Sequence, residues 1–301
     1  MQIKKVSVII VNYNTSKLVN DCINSIYKHT KQIGLVEIIV VDNNSPNDNL
    51  NLLRNDKRIR LVELKTNIGF GKVNNKGREL ATGEFLFFLN PDILLLNDAI
   101  TIMTNYLEAN SDVAVVGGNL YDLNMKPTHS YRYLFPSLFT EIDLTCKRIL
   151  SKLFITKNYE FNFSKQPLEV SYITGADMMV RKEVFDNVGK FDPDFFMYYE
   201  ETDLCYRIKS KGYSIKSIPD AELIHLEGKS FNVSVEREKR NLNGRYLYFH
   251  KHYGFFYNVV TDIFNVLTLL IVSIALIFFP KQNKKYIIRL KLYIRKMLNM
   301  D

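Results

Sequence analysis

Short apolar, β-branched runs alternate with segments of helical spacing through the first half of the chain. Residues 6–11, VSVIIV, are typical of a strand buried on both faces, and residues 36–41 repeat the pattern. The predicted strands are residues 6–11, 36–41, 59–64, 85–89 and 113–116, with helices at residues 16–29, 71–81 and 97–109. Because crossover helices join parallel strands, this alternation predicts an α/β fold with a mainly parallel, Rossmann-like sheet and flanking helices.

The second half interrupts this rhythm and then resumes it. Residues 120–170 are rich in Tyr, Phe and Lys and predict an irregular insertion. Further strands are predicted around residues 178–180, 214–218 and 222–225, with helices from residue 182, at 201–211 and at 234–252. No internal repeat and no low-complexity linker is visible in the sequence.

The distribution of charge and cysteine excludes several classes of protein. Three scattered cysteines, without a C-x-x-C pair, disfavour a disulfide framework or a zinc site and favour a reducing compartment. The first residues lack the apolar core of a signal peptide. The net charge is +8, but residues 281–301 hold seven basic side chains and one acid, which leaves only +2 before them. We therefore expect no nucleic-acid partner, since such binding needs a basic face on the folded domain.

An uncharged apolar run of 17 residues, 263–279, precedes this basic tail. It could be a buried core helix, or a single membrane span of minimal length. Basic residues flank it on both sides, and a simple span would place one flank against the positive-inside bias. The sequence favours a membrane-embedded or re-entrant anchor at 255–280, followed by an amphipathic basic helix at 281–301 on an anionic lipid surface.

Polar clusters stand where three of the predicted strands end. They are Asn12-Tyr13-Asn14, residues 42–46 (DNNSP) and Asn90-Pro91-Asp92. Each cluster alone could simply form a turn. Together, three strand ends at one sheet edge predict a crevice of nucleotide size. Glycines at 69 and 71 open the next predicted helix, where a backbone can approach a phosphate or ribose, although such glycines often only shape a turn.

Five ordered stretches within residues 5–231 resemble the family 2 glycosyltransferases, especially the bacterial rhamnosyl- and galactofuranosyltransferase-like branch. They are VSVIIVNYN, EIIVVDNNSPND, NIGFGKVNNKGRELATGEFLFFLNPD, TGADMMVRKEVFDNVGKFDPDFFMYYEETDLCYR and IHLEGKS. The resemblance implies a GT-A nucleotide-sugar-binding fold over residues 1–232, with helices and a membrane anchor over 233–301. The insertion and the anchor are poorly covered by it.

The resemblance also implies roles for individual residues. Those expected to bind the nucleotide sugar are Asn12, Tyr13, Asn14, Asp42, Asn67, Gly69, Phe70, Asn75, Asn90 and Asp92. Asn90-Pro91-Asp92 occupies the place of the D-x-D motif of relatives, with Asn at its first position. Asp92 and His225 would hold a divalent cation, Mg²⁺ or Mn²⁺. The loop Gly175-Ala176-Asp177 would place sugar and acceptor, although Asp177 could also cap a turn.

Glycosyl transfer to a hydroxyl needs a carboxylate that removes the acceptor's proton. Glu200, Glu201 and Asp203 lie at a predicted helix start, where acids also stabilise the helix dipole. The family usually has Glu-Asp here with the second acid as base, which points to Glu201, with Glu200 beside it. Glutamate in place of aspartate adds one methylene of reach.

Together with the predicted anchor, the resemblance implies an inverting, metal-dependent hexosyltransferase at the cytoplasmic membrane face, acting in cell-surface polysaccharide synthesis. Its donor would be a nucleotide-diphosphate sugar, with dTDP-rhamnose or a UDP-sugar expected, and its acceptor a glycan or lipid-linked saccharide. The alternatives are a polyprenyl-phosphate glycosyltransferase and a non-catalytic membrane adaptor that keeps the fold. A nucleotidyltransferase is disfavoured because no Gly-rich triphosphate loop follows the first strand. The sequence leaves the oligomeric state open.

Overall fold

The computed structural model describes residues 6–145, 159–226, 235–275 and 280–297. The chain divides into two compact units. The sheet unit contains residues 1–134, 158–196 and 200–231, and the helical unit contains residues 135–157, 197–199 and 232–301. The predicted boundary near residue 232 stays a prediction, and the described residues 138–145 belong to the helical unit.

The elements follow the predicted alternation. The strands are β1 (Val6–Asn12), β2 (Val36–Asp42), β3 (Ile59–Glu63), β4 (Phe85–Leu89), β5 (Ile93–Leu95), β6 (Val113–Tyr121), β7 (Tyr131–Arg132), β8 (Leu168–Glu169), β9 (Tyr172–Ile173), β10 (Asp177–Arg181) and β11 (Ser214–His225). The helices are α1 (Ser16–His29), α2 (Asn51–Arg54), α3 (Phe70–Leu80), α4 (Ala99–Ala109), α5 (Leu138–Thr145), α6 (Lys182–Asn187), α7 (Glu200–Ser210), α8 (Val235–Tyr253), α9 (Phe255–Ala275) and α10 (Pro280–Met297).

The main sheet has the order β3-β2-β1-β4-β10-β6-β11-β5, with β8 beside β11, and β7 pairs separately with β9. Strands β1 to β4 are mutually parallel, and β6 is parallel to β11. The predicted α/β architecture with a mostly parallel sheet is confirmed. One interior strand, β10, runs antiparallel to both neighbours, which the alternation did not predict. The two strands predicted at 214–218 and 222–225 form one strand, β11, whose register shifts between Ser217 and Glu222.

The core of the sheet unit lies where the apolar pattern placed it. β1 is buried along its whole length, and β4 likewise. Helix α1 buries Val19, Cys22, Ile23 and Ile26, whose spacing of three and four residues forms one face. These elements hold the sheet edge rigidly, so the loops that follow the strands have fixed starting points.

The helical unit is held together by buried ion pairs. Arg245 of α8 donates to Glu141 of α5 at 2.9 Å and to Asp262 of α9 at 2.7 Å. Helix α9 is the one described helix that is long and apolar enough to cross a membrane, which is weak evidence of membrane association. Parts of several predicted segments lie outside the described residues, namely 146–158 of the insertion, 227–234 around the IHLEGKS motif and the domain boundary, 276–279 of the anchor and 298–301 of the tail.

Candidate functional site

The loops after β1, β2 and β4 share one sheet edge with the loop that precedes β10. Because β10 is antiparallel to β4, its first residue lies beside the last residue of β4, with Asp177 opposite Leu89. The backbone N–H of Asn90 donates to the carbonyl of Ala176 at 2.9 Å. The D-x-D-like segment and the Gly175-Ala176 loop are therefore joined at this edge.

Asn12 is the last residue of β1 and lies at this sheet edge. Its buried side-chain amide donates to Asp42 Oδ1 at 2.7 Å and to Asp48 Oδ2 at 3.0 Å. The backbone N–H of Asn14, in the left-handed region at φ 59°, donates to Ser45 Oγ at 2.9 Å. Tyr13 lies between them with its ring exposed. The structure thus brings the predicted nucleotide-binding residues after β1 and β2 together.

Asp48 belongs to the same cluster, although sequence reasoning missed it. It accepts hydrogen bonds from the backbone N–H of Ser16 at 2.9 Å and from the Ser16 hydroxyl at 2.5 Å. Partial burial favours a higher pKa for Asp48, but the hydrogen bonds from Ser16 and Asn12 outweigh burial and lower the pKa below its usual range. A carboxylate that caps α1 from 32 residues away leaves no spacing signal in the sequence.

A second asparagine, Asn43, fixes the glycine turn before α3. Its amide nitrogen donates to Asn67 Oδ1 at 2.9 Å, and its oxygen accepts from the backbone N–H of Ile68 at 2.9 Å. Asn67 Oδ1 also accepts from the backbone N–H of Gly69 at 3.1 Å. Asn43 was not among the predicted site residues, because its partners are 24 or more residues away.

Gly69 occupies a position that only glycine fills without strain. Its φ is +86°, and a Cβ added there would overlap the carbonyl oxygen of Phe196. That carbonyl accepts the backbone N–H of Phe70 at 2.8 Å. The start of α3 is therefore pressed against the backbone of the 191–196 segment.

Gly69→Ala is expected to destabilise the sheet unit more than Gly212→Ala, a matched control with φ +88° and open space around it. Gly212→Ala should cost roughly 1–2 kcal/mol for its backbone conformation alone. Gly69→Ala should lose roughly a further 1–3 kcal/mol through the clash with Phe196. Urea denaturation of both variants measures the difference, and equal losses would contradict the close contact.

Asn75 of α3 contacts the protein's own backbone. Its amide nitrogen donates to the carbonyl of Phe191 at 2.8 Å, and its oxygen accepts from the Phe191 N–H at 3.2 Å. These bonds brace the 191–196 segment against α3. The predicted contact of Asn75 with the nucleotide sugar stays a prediction.

The acidic pair begins α7 and lies beside the start of α3. A Cβ at Gly175 would be 3.8 Å from Glu201 Cβ and 3.7 Å from Phe70 Cε1, so these three residues meet. Glu200 lies behind them, its Cβ 3.5 Å from a Cβ added at Gly71. Glu200 is 5% exposed, whereas Glu201 is half-buried and partly accessible. Within the described residues, Glu200 Oε2 has no hydrogen-bond partner.

Burial raises the pKa of both glutamates. For Glu200 the pKa lies well above its usual range, through burial first and then through the negative charge of Glu201. For Glu201, burial raises the pKa, while the backbone N–H groups of Glu201 and Thr202 and the guanidinium of Arg132 oppose that rise. The neutral form is therefore favoured more strongly at Glu200 than at Glu201, whose charged form is supported by N–H groups and a guanidinium. Arg132, in the predicted irregular insertion, was missed because nothing in the sequence links it to Glu201.

Asp203 has the structural role that was the alternative for acids at this helix start. Its carboxylate accepts from Arg207 Nε at 2.9 Å and Nη2 at 2.7 Å. Arg207 in turn donates to the carbonyls of Val188 and Lys190. This pair ties α7 to the turn after α6.

Asp92 and His225 face one another at the far end of the same edge. Asp92 Oδ1 lies 3.4 Å from His225 Nε2, and both side chains are largely buried. β5 and β11 hold them, with Ile93 opposite His225, and the Leu226 N–H donates to the Asp92 carbonyl at 2.9 Å. Within the described residues, no group of three or more His, Cys, Asp or Glu could hold a metal. One carboxylate and one imidazole fit a cation that takes its other ligands from phosphate and water.

Asp177 is placed differently from its neighbours in the loop. It begins β10, is fully buried, and its Oδ2 accepts the Gly118 N–H at 2.7 Å. Burial raises its pKa well above the usual range. The carboxyl group thus lies inside the sheet, and the predicted contact of Asp177 with sugar hydroxyls stays a prediction. Gly175 and Ala176 remain at the site.

Known proteins similar to this chain include glycosyltransferases. The chain is 25% identical over 223 residues to the low-salt glycan biosynthesis hexosyltransferase Agl10 of Haloferax volcanii, covering 73% of this chain and 66% of the relative. It is 29% identical over 192 residues to the rhamnosyltransferase WbbL of Escherichia coli, covering 60% and 67%. The chain thus spans about two thirds of the length of these relatives, slightly less for the hexosyltransferase.

A solved structure of the mannosyltransferase PcManGT from Pyrobaculum calidifontis, in complex with GDP-Man and Mn²⁺, superposes with a TM-score of 0.60. The match covers 100% of this chain and 89% of that protein at 14% identity, which shows a shared GT-A fold. The family model described as "Glycosyl transferase family group 2" matches residues 148–288, and "Glycosyl transferase family 2" matches residues 7–189. Because the family 2 model matches more than half of the chain, the chain belongs to glycosyl transferase family 2.

Proposed function

We propose that the protein is an inverting, metal-dependent glycosyltransferase that moves a sugar from a nucleotide diphosphate to a hydroxyl group. One observation supports this proposal above the others: Glu201 and Phe70 both lie next to Gly175. A half-buried carboxylate with a raised pKa stands there beside the turn expected to hold the donor. Transfer to a hydroxyl group needs a base that can reach the acceptor while the acceptor lies against the donor sugar.

In the proposed reaction, Glu201 accepts the proton of the acceptor hydroxyl. At the same time the oxygen of that hydroxyl bonds to the anomeric carbon of the donor sugar. The bond from that carbon to the diphosphate oxygen breaks, and the nucleotide diphosphate leaves. Because no enzyme nucleophile intervenes, one displacement inverts the anomeric centre. Asp92 and His225 would hold Mg²⁺ or Mn²⁺, which neutralises charge on the diphosphate when bound. Asn12, Asp42 and their partners would orient the base and ribose.

The names of the relatives suggest the wider role. Agl10 is named a glycan biosynthesis hexosyltransferase and WbbL a rhamnosyltransferase. We extend this to a hexosyl donor, dTDP-rhamnose or a UDP-sugar, and to a glycan or lipid-linked saccharide acceptor of the cell surface. Since such donors are made in the cytoplasm, the site would work at the cytoplasmic face of the membrane.

Two alternatives make different demands on the site. Transfer to a polyprenyl phosphate needs no general base, because the acceptor is already an anion, and the position of Glu201 argues for a hydroxyl acceptor. A non-catalytic adaptor needs neither a base nor a cation-binding pair. The presence of Glu201 beside Gly175, and of Asp92 beside His225, argues against that alternative.

A panel of nucleotide sugars tests the proposal directly. The full-length protein is incubated with each donor, with and without Mn²⁺ or Mg²⁺, and release of the nucleotide diphosphate is measured. We expect one donor to be consumed only in the presence of metal, and faster when a saccharide acceptor is added. Faster release with polyprenyl phosphate than with any saccharide would favour the first alternative, and no release from any donor would favour the adaptor.

The proposed base predicts an acidic limb in the pH profile of kcat/KM. Glu201 must be ionised to accept a proton, so activity falls as the pH drops through its pKa. Because burial raises that pKa, the loss should begin above the usual range for glutamate, which centres at about 4.3. A profile that stays flat down to about pH 4 would contradict this assignment.

A further inference from the structure

Helix α9 presents a continuous apolar stripe to its surroundings. Exposed residues recur along its whole length at intervals of three or four, namely Phe256, Val260, Ile263, Leu267, Ile271 and Ile274. Phe256 is 84% exposed and Ile274 70%. At 1.5 Å per residue the stripe is roughly 27 Å long. A row of large apolar side chains of this length marks an interaction surface.

The opposite face of the same helix is polar and buried. Asn258, Thr261 and Asp262 are buried there, and Asn265 donates to Glu141 Oε2 at 2.7 Å. Asp262 receives the guanidinium of Arg245, as does Glu141. Helix α9 is therefore amphipathic with its apolar side turned outward, and its polar side is locked into the helical unit.

This packing determines how the helix can meet a lipid bilayer. α9 lies against α5, α8 and α10. α8 carries the charged side chains of Arg237, Lys239 and Arg240. If α9 crossed the bilayer, the charged groups of the helices packed against it would enter the hydrocarbon with it, which is unfavourable for charged side chains. A helix that lies in the plane of the interface keeps those partners in water.

The charge of the C-terminal region indicates what binds to the stripe. Residues 235–301 hold twelve Lys and Arg against four Asp and Glu, whereas residues 1–234 hold 28 of each, so the net charge of +8 lies entirely in the C-terminal region. On α10, Lys291 and Arg295 are exposed together with Ile287 and Ile294. An anionic lipid surface matches this combination. A second copy of the chain would bring two positive helical units together.

We propose that α9 lies parallel to an anionic membrane surface, with its stripe immersed in the headgroup and upper acyl region, and does not span the bilayer. This deepens the membrane attachment included in the proposed function. The proposed arrangement differs from both the re-entrant anchor and the simple span, because α9 lies in the plane of the membrane interface. All six stripe residues should then reach one shallow depth, since the apolar face of such helices enters about 5–10 Å.

The chain contains no tryptophan, so a single introduced one reports depth without background. The full-length variants Phe256→Trp, Phe264→Trp and Ile274→Trp mark the start, middle and end of α9. Each is mixed with vesicles of phosphatidylcholine and phosphatidylglycerol, brominated either near the headgroups or near the bilayer centre. We expect all three to be quenched most by the shallow bromines, and binding to be at least about tenfold weaker without phosphatidylglycerol.

Other outcomes would overturn the proposal. Strongest quenching of Phe264→Trp by the deep bromines, with the two ends shallow, indicates a span. Absence of quenching together with a dimeric mass in solution indicates that a second copy covers the stripe. If neither quenching nor a dimeric mass is observed, α9 does not bind the lipid surface.

A pair of serine variants separates the stripe from general effects. Leu267→Ser in the stripe should reduce vesicle binding several-fold, whereas Leu123→Ser, at an exposed leucine of the sheet unit, should not. Equal behaviour would contradict the proposal. Metal-dependent release of nucleotide diphosphate, measured in the same samples, shows separately whether the proposed transferase activity stands.

Discussion

Replacing Glu201 with glutamine is expected to reduce glycosyl transfer by roughly 10²–10⁴-fold while leaving nucleotide-diphosphate binding nearly unchanged. Glutamine keeps the shape of the side chain beside Gly175 and Phe70 but cannot accept the proton of the acceptor hydroxyl. Single-turnover kinetics with saturating acceptor measure the loss in rate, and calorimetry measures binding. A loss of rate without a loss of affinity identifies a group that acts in the transition state.

Glu200→Gln is the matched control for this substitution. Glu200 is buried and its pKa is raised well above its usual range, which favours the neutral acid, and glutamine resembles the neutral acid. We expect this variant to keep activity within a few-fold of the wild type. If Glu200→Gln is inactive and Glu201→Gln is active, the two residues have exchanged roles. Full activity of both would remove the pair from catalysis.

Asp92→Ala and His225→Ala should each abolish the metal-dependent part of nucleotide-diphosphate binding. The two side chains lie 3.4 Å apart, and within the described residues no larger cluster could replace them. Loss of charge neutralisation on the leaving diphosphate is worth several kcal/mol, so transfer should fall by roughly 10²–10³-fold.

Calorimetric titration of the nucleotide diphosphate, with and without Mn²⁺, checks this second prediction. Without metal, both variants should bind as weakly as the wild type does. Asp122→Ala, which removes a carboxylate that accepts the backbone N–H groups of Asn124 and Lys126 in its own turn, should keep the full metal effect. Unchanged metal-dependent affinity in Asp92→Ala and His225→Ala would exclude both residues from the cation site.

The strands and the polar clusters at their ends could be predicted because both depend on local pattern. Val6–Asn12 and Phe85–Leu89 consist mainly of apolar residues that are common in strands. In a parallel sheet, the residues that follow such strands lie at the same edge. Asn12 and Asp42 therefore lie in contact, as their positions after neighbouring strands predicted. The direction of β10 could not be predicted, since a short buried strand has the same composition in either orientation.

The residues that were missed act through partners distant in sequence. Asp48 caps a helix 32 residues earlier, and Asn43 holds a turn 24 residues later. Helix α9 shows a different limit of sequence reasoning. Its apolar residues were visible, but whether they face inward or outward depends on Arg245 and Glu141, which pair with the polar side.

The turn at residues 188–191 is gripped by two helices that carry opposite halves of the proposed chemistry. Asn75 of α3 holds Phe191, and Arg207 of α7 holds the carbonyls of Val188 and Lys190. The turn thus acts as a spacer between the helix that begins at Phe70 and the helix that begins with Glu200 and Glu201. A longer turn would change the spacing of these two helix starts, and with it the space proposed for the acceptor, while Glu201 and the other groups proposed to react stay the same.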